Sequence, residues 1–288
     1  KYSRAAASIA LIGGIHAGNI VSPNANTIAL AENFNIPLTT VMIGGLIPSV
    51  AGLVFSYIFM KVLRNKGEMI DPSTIEHSEN TENLPSFGRA IIGPVCTIVL
   101  LMLRALVGIT IDPIIALPVG GIVGTIATGQ AKKMMDFAST GISRMSSIVL
   151  LLLGTGTISG IIANSALKTT LENLVQASGM PGYLLAPIAG IVMGGATASC
   201  IAGATVASQV FGSTIVSFGV TGVQAAVMIH AGCCVFDCLP HGSFFHISAG
   251  TLRMSIKERL KVIPYESLIG FGMTVVATIV YGVIGFTF

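Results

Sequence analysis

Two histidines head two nearly identical words in the chain. Ile15-His16-Ala17-Gly18-Asn19-Ile20-Val21 recurs as Ile229-His230-Ala231-Gly232-Cys233-Cys234-Val235. Each word ends an apolar stretch and runs into polar, proline-containing sequence: Ser22-Pro23-Asn24-Ala25-Asn26-Thr27 in the first, and Phe236-Asp237-Cys238-Leu239-Pro240-His241-Gly242-Ser243 in the second. The first supplies His16, Asn19, Ser22, Asn24, Asn26 and Thr27, neutral donors and acceptors apart from the imidazole. Hydroxyls and amides suit a polyol, and helix N-termini freed by a break suit an anion, so together they suit a small hydroxylated carboxylate. The second adds His230, Asp237, His241, Ser243 and His246. A carboxylate at membrane depth is costly and marks function, and imidazole exchanges protons near neutrality. Asp237 and His230 are therefore read as the proton-coupling groups, with His241 and Ser243 on the substrate. A third source is the small-residue run Gly194-Gly195-Ala196-Thr197-Ala198-Ser199, in which Gly194, Gly195, Thr197 and Ser199 offer backbone N–H groups and hydroxyls.

The same residues support plainer readings. Ser-Pro-Asn-Ala-Asn is turn chemistry, Asp237 suits a helix cap, and small residues pack helices in lipid. Cys233, Cys234, Asp237, Cys238, His241 and His246 are also metal-ligand types, so a membrane metal-ion transporter is a rival function. Their spacing matches no zinc signature and the chain has no HExxH. Changing the three cysteines together to Ser separates the two: a metal site loses function and an anion carrier keeps it. Neither catalysis nor a cofactor is expected.

The elements that position these groups follow from composition. Of 288 residues 52% are hydrophobic and only 9% charged, against about 25% charged in soluble domains, and the mean hydropathy is +0.85. The chain reads as an all-α polytopic membrane protein, and its net charge of +3 is too scattered for nucleic acid. Its five cysteines lie in apolar surroundings and suggest packing, not disulfides. Spans of about 20 apolar residues fall near 5–21, 38–60, 90–110, 112–130, 146–163, 214–236 and 266–286, about seven in all. The stretch 180–210 is broken in its middle by the Gly194–Ser199 run and reads as a re-entrant hairpin, a form tolerated only inside protein or beside water.

Basic residues orient the spans. Lys1 and Arg4, then Lys61, Arg64 and Lys66, then Lys132, Lys133 and Arg144, then Arg253, Lys257, Arg259 and Lys261 all fall on one side if the hairpin enters from the outer face without crossing. Arg104 reads as snorkelling to the interface. Residues 165–178 read as an interfacial amphipathic helix, with Lys168 and Glu172 as a surface pair. Acidic 67–88 reads as a cytoplasmic linker between 1–66, the end of a first inverted repeat, and 89–288, a second repeat holding the hairpin and the second motif 230–246. Paired interruptions in two halves point to a transporter's substrate site. His16 and His230 lie 214 residues apart, so a full pair of repeats needs a longer chain, and the first motif's own hairpin is expected to precede Lys1.

At these residues the chain resembles the gluconate permease family, the gluconate:proton symporters of the ion-transporter superfamily. Gly14 to Gly67 resembles that family's His, polar Pro motif and basic-ended span. Leu84-Pro85-Ser86-Phe87-Gly88 with Leu103-Arg104-Ala105, Gly194-Gly195-Ala196-Thr197-Ala198, and Ser255-Ile256-Lys257-Glu258 through Glu266 resemble further family segments. The first motif lacks the family's second His, and the second departs from its Ser-His-Val-Asn-Asp. The resemblance implies import of gluconate or a related sugar acid by proton symport and alternating access, in a bacterial inner membrane, with a homodimer possible. Sodium coupling of a carboxylate carrier is the alternative, since broken helices also coordinate sodium.

Overall fold

The computed structural model describes residues 2–70, 84–109, 111–163, 166, 169, 170, 173 and 177–287. The chain is an all-α polytopic membrane protein: among the described residues the only extended pairing is a bridge between Ser3 and Met69. Most of the amphipathic helix expected at 165–178, with Lys168 and Glu172, lies outside the described residues, as do 71–83 of the linker and the side chains of Arg104 and Arg144.

The helices are α1 (Arg4–Val21), α2 (Ala25–Asn33), α3 (Leu38–Gly44), α4 (Leu46–Leu63), α5 (Phe87–Val107), α6 (Pro113–Ala127), α7 (Met134–Ala163), α8 (Leu185–Thr197), α9 (Cys200–Ser217), α10 (Gly222–Cys233), α11 (Ser243–Thr251) and α12 (Ile256–Ala277), the last continuing as a π turn over Thr278–Val283. Among the described residues four stretches are long and apolar enough to cross a membrane: Arg4–Asn33, Leu38–Leu63, Cys200–Ser217 and Ile256–Val283.

Two compact units divide the chain, one formed by Lys1–Asp71 with Leu153–Phe288 and the other by Pro72–Leu152. In the second, α5 and α6 pack through glycine, Gly93 lying against Gly120 and Gly124. In the first, α1 packs on α4 and α12, and α8 packs on both α9 and α10. Apolar side chains such as Val50, Leu53 and Val54 of α4 and Leu268 and Phe271 of α12 face outward, while His16, His230, Arg259 and Glu266 are wholly buried. That inversion suits lipid, where every polar group must be satisfied inside the protein.

Four expected spans change shape, the 146–163 span lengthening into α7, which starts at Met134. The 38–60 span is interrupted at Gly45, between α3 and α4, where Pro48 cannot donate to the Gly44 carbonyl; the Tyr281 hydroxyl donates to that carbonyl instead, at 2.7 Å. The 214–236 span does not exist as one helix. Residues 214–217 finish α9, the chain turns at Gly219 with φ +82°, and a capping box of Thr221 and Gln224 starts α10. At 12 residues α10 extends about 18 Å, short of the roughly 30 Å hydrocarbon core. The last helix begins at Ile256, ten residues before the expected span, on a Ser255–Glu258 capping box.

Candidate functional site

The first motif is a helix, a three-residue break and a second helix. His16 lies on α1, inside the expected 5–21 span, and the break that follows comprises Ser22, Pro23 and Asn24. Pro23 has no N–H for the Asn19 carbonyl. The Asn24 side-chain amide donates to that carbonyl at 2.6 Å and to Ser22 Oγ at 2.9 Å. Asn24 Oδ1 accepts from the Asn26 and Thr27 backbone, and Thr27 Oγ1 donates to the Ser22 carbonyl at 2.7 Å. Asn19, Ser22, Asn24 and Thr27 therefore build the turn, and His16 and Asn26 are left to reach across it.

The second motif repeats this plan with a longer break. His230 sits in the last turn of α10, residues 234–242 are non-helical, and α11 starts at Ser243. The two breaks exchange partners. His16 Nε2 lies 3.1 Å from each Asp237 carboxylate oxygen, and the Asn26 amide nitrogen lies 3.3 Å from His230 Nε2. All four side chains are buried, Asp237 the most open at 4% exposed. His16 Nδ1, His230 Nδ1 and Asn26 Oδ1 are buried without a partner, an unspent polar capacity at one place.

The hairpin closes on this pair of breaks. Ala198 takes a left-handed conformation, φ 44°, and Ser199 caps α9 by accepting from Ala202 N–H. The Asn26 amide donates to Cys200 Sγ at 3.4 Å, and Cys200 Sγ lies 3.8 Å from Cys234 Sγ. Gly194 lies against the Cys233 backbone and Ala198 against Gly242. His241 Nε2 is 3.2 Å from the Gly195 carbonyl, which ties the tip to the second break. Thr197 Oγ1 donates to the Met193 carbonyl within its own helix, and Ser243 is exposed. Of the Cys/His/Asp set 233–246, Cys234 and Asp237 converge on His16, their ligand-type atoms within 4.8 Å of one another; His246 turns to the Pro240 carbonyl instead.

A second buried pair stands beside the first. Arg259 Nη1 donates to Glu266 Oε2 at 2.7 Å with both side chains fully buried. Arg259 Nε donates to Ser248 Oγ at 3.0 Å, and its guanidinium stacks on Phe245 at 5.1 Å. Ser8 Oγ donates to Glu266 Oε1 at 3.3 Å.

The chain is 50% identical over 284 residues to an uncharacterized transporter of Haemophilus influenzae, covering 99% of this chain and 68% of that protein. The chain belongs to that transporter's family. Residues 89–178 match the model of the Na+-H+ antiporter family. The comparisons carry membrane transport; the gluconate permease resemblance read from the motifs finds no counterpart in them. No solved structure matches the chain.

For this transporter the sequence reading misplaced Arg259 and overlooked Glu266 and Ser8 as site residues. The charge pattern assigns Arg259 to the cytoplasmic basic cluster, but its side chain is fully buried, the largest such among the described residues. A usable signal was present: Glu266 is an acid in an apolar helix, seven residues after Arg259 and therefore on the same face.

Proposed function

We propose that this transporter carries a small hydroxylated organic anion, a sugar acid of the gluconate type, in symport with protons through the His16–Asp237 pair. The observation that carries the reading is the exchange of buried partners between the two breaks, His16 with Asp237 and Asn26 with His230. A titratable pair that bridges the two motifs would tie proton occupancy to their relative position, the coupling that alternating access requires. Anion selectivity draws support from three helix N-termini. Asn26 at the start of α2 bonds Cys200 at the start of α9, and the α11 N-cap Gly242 lies against Ala198. Their partial positive charges favour a carboxylate. The unpartnered Asn26 Oδ1 and backbone groups around them suit its hydroxyls. The working form we propose is a homodimer in a bacterial inner membrane.

A second reading has one observation in its favour, the Na+-H+ antiporter match over 89–178. In it, sodium replaces the proton as coupling ion. The test is uptake of labelled gluconate and shorter sugar acids by proteoliposomes of the full-length protein, under imposed proton or sodium gradients. Accumulation driven by inward protons alone supports the proposal. Accumulation driven only by sodium selects the second reading. Sodium–proton exchange with no uptake of any sugar acid sinks both carrier readings.

A further inference from the structure

His16, Cys200, Cys234 and Asp237 bring an imidazole, two thiols and a carboxylate to one place, and the transport reading uses only the first and the last. All four residues are buried. The ligand-type atoms of His16, Cys234 and Asp237 lie within 4.8 Å of one another. His16 Nε2 is 3.1 Å from each Asp237 oxygen, and Cys200 Sγ is 3.8 Å from Cys234 Sγ. Tetrahedral zinc holds nitrogen and oxygen at about 2.0 Å and sulfur at about 2.3 Å, so its neighbouring ligand atoms stand about 3.3–3.8 Å apart. The nitrogen–oxygen and sulfur–sulfur pairs already stand close to those edges. Of the Cys, His and Asp residues between 233 and 246, Cys234 and Asp237 belong to this set; His16 comes from α1 and Cys200 from the start of α9.

We propose that these four side chains form a site for one thiophilic divalent cation, of zinc or cadmium type, and that the ion clamps α1, the start of α9 and the second break together. Two sulfurs, a carboxylate oxygen and the lone pair of His16 Nε2 make the four bonds. The two thiol protons leave to solvent, because a coordinated thiol is deprotonated, and the imidazole keeps its own proton on Nδ1. One divalent ion thus replaces two protons, and the net charge of the buried set does not change. The penalty for burying an unbalanced ion therefore does not arise. The Asn26 amide, 3.4 Å from Cys200 Sγ, supplies a donor to that sulfur once it is a thiolate. Sulfur and imidazole select zinc or cadmium over sodium, magnesium or calcium. The inference shares His16 and Asp237 with the proposed symport but rests on ligand geometry alone, so the two stand or fall separately.

The probe is cadmium, added to purified full-length protein kept reduced in detergent. One ion binds per chain, a thiolate-to-cadmium charge-transfer band rises in the ultraviolet, and thermal unfolding shifts upward. Magnesium at the same concentration does none of this. Cys234→Ser cancels the thermal shift and weakens binding by more than about tenfold, the loss that removing even a partner behind a metal ligand produces. Cys200→Ser leaves a band of about half the height, one thiolate in place of two. His16→Gln keeps the band and weakens binding. Cys96→Ser, a change on α5, alters none of these readings. The site is overturned if Cys234→Ser binds cadmium as the parent does, or if Cys96→Ser removes the band. A band without any thermal shift overturns the clamp. Where Cys234→Ser fails to assemble, Cys200→Ser decides, and an undiminished band overturns the site. Wild-type proteoliposomes that accumulate labelled cadmium would make the ion cargo and overturn the clamp. A sugar-acid panel without uptake would count against the proposed substrate and leave this site standing.

Discussion

His16, Asp237, Asn26 and His230 divide the work of the two motifs, and each can be probed by a near-isosteric change. Asp237→Asn keeps the shape of the side chain and removes its charge. A hydrogen bond to a charged group contributes about 1.5–3 kcal/mol, so proton-driven accumulation should fall by about tenfold or more, while counterflow exchange, which needs no gradient, persists. Equal loss of both would mean that Asp237 serves the fold or the substrate instead of the proton. Asn26→Leu leaves His230 Nε2 without its partner in a buried site. An orphaned buried polar group costs about 1–3 kcal/mol, so thermal unfolding in detergent should shift downward; an unchanged midpoint would show that the Asn26–His230 contact is dispensable. By the same logic Ser22→Ala acts on the turn alone, because its side chain serves Asn24.

At the level of elements the echo is not symmetric. Gly232 lies against Gly190 and the Pro187 carbonyl, so that α8 and α10 touch backbone to backbone, while nothing lies within 4 Å of where a side chain would start at Gly18. A side chain at Gly232 has to push the hairpin away from the second break. Overpacking of this kind costs about 1–3 kcal/mol. Gly232→Leu should therefore lower the melting temperature and abolish transport, and Gly18→Leu should leave the melting temperature near that of the parent. Equal effects would mean that the α8–α10 contact is not what Gly232 provides. Packing through small residues is the expected source of affinity here, because lipid supplies little hydrophobic drive between helices.

For the whole molecule, the membrane path of the hairpin is the deciding question. α8 has 13 residues and extends about 20 Å, too short to cross, whereas α9 with 18 extends about 27 Å and nearly does. The basic clusters before α1, after α4 and before α12 share a side if the hairpin only enters and returns. Single cysteines at Ser178 and Ser217, both exposed, placed in a cysteine-free background, should then react with an impermeant maleimide from the outer face alone. Reaction of one of them from the cytoplasmic face would make α9 a full span and invert the topology of everything after it.

Composition and residue order by themselves determined that this is a helical membrane protein, that two His-Ala-Gly words end helices before polar breaks, and that a hairpin turns near Ala198. These are local matters: proline removes a donor, asparagine and serine cap, and a long apolar stretch has nowhere to go but lipid. Sequence also placed the chemistry near His16 and Asp237 but gave no reason to pair them across a separation of 221 residues. Only the tertiary structure decided that the two breaks trade partners, that Asn19, Ser22, Asn24 and Thr27 serve their own turn, and that Arg259 leaves the basic cluster for Glu266. The physical reason is the cost of a buried charge. A basic residue near a helix start reads as an interfacial cation until its neighbours in space are known, and those neighbours are Ser248 on the preceding helix α11 and Glu266 two turns further along α12. Spacing puts Glu266 on the same helix face as Arg259, but that this face turns into the protein is decided by packing, and the pairing of His16 with Asp237 has no such local signal.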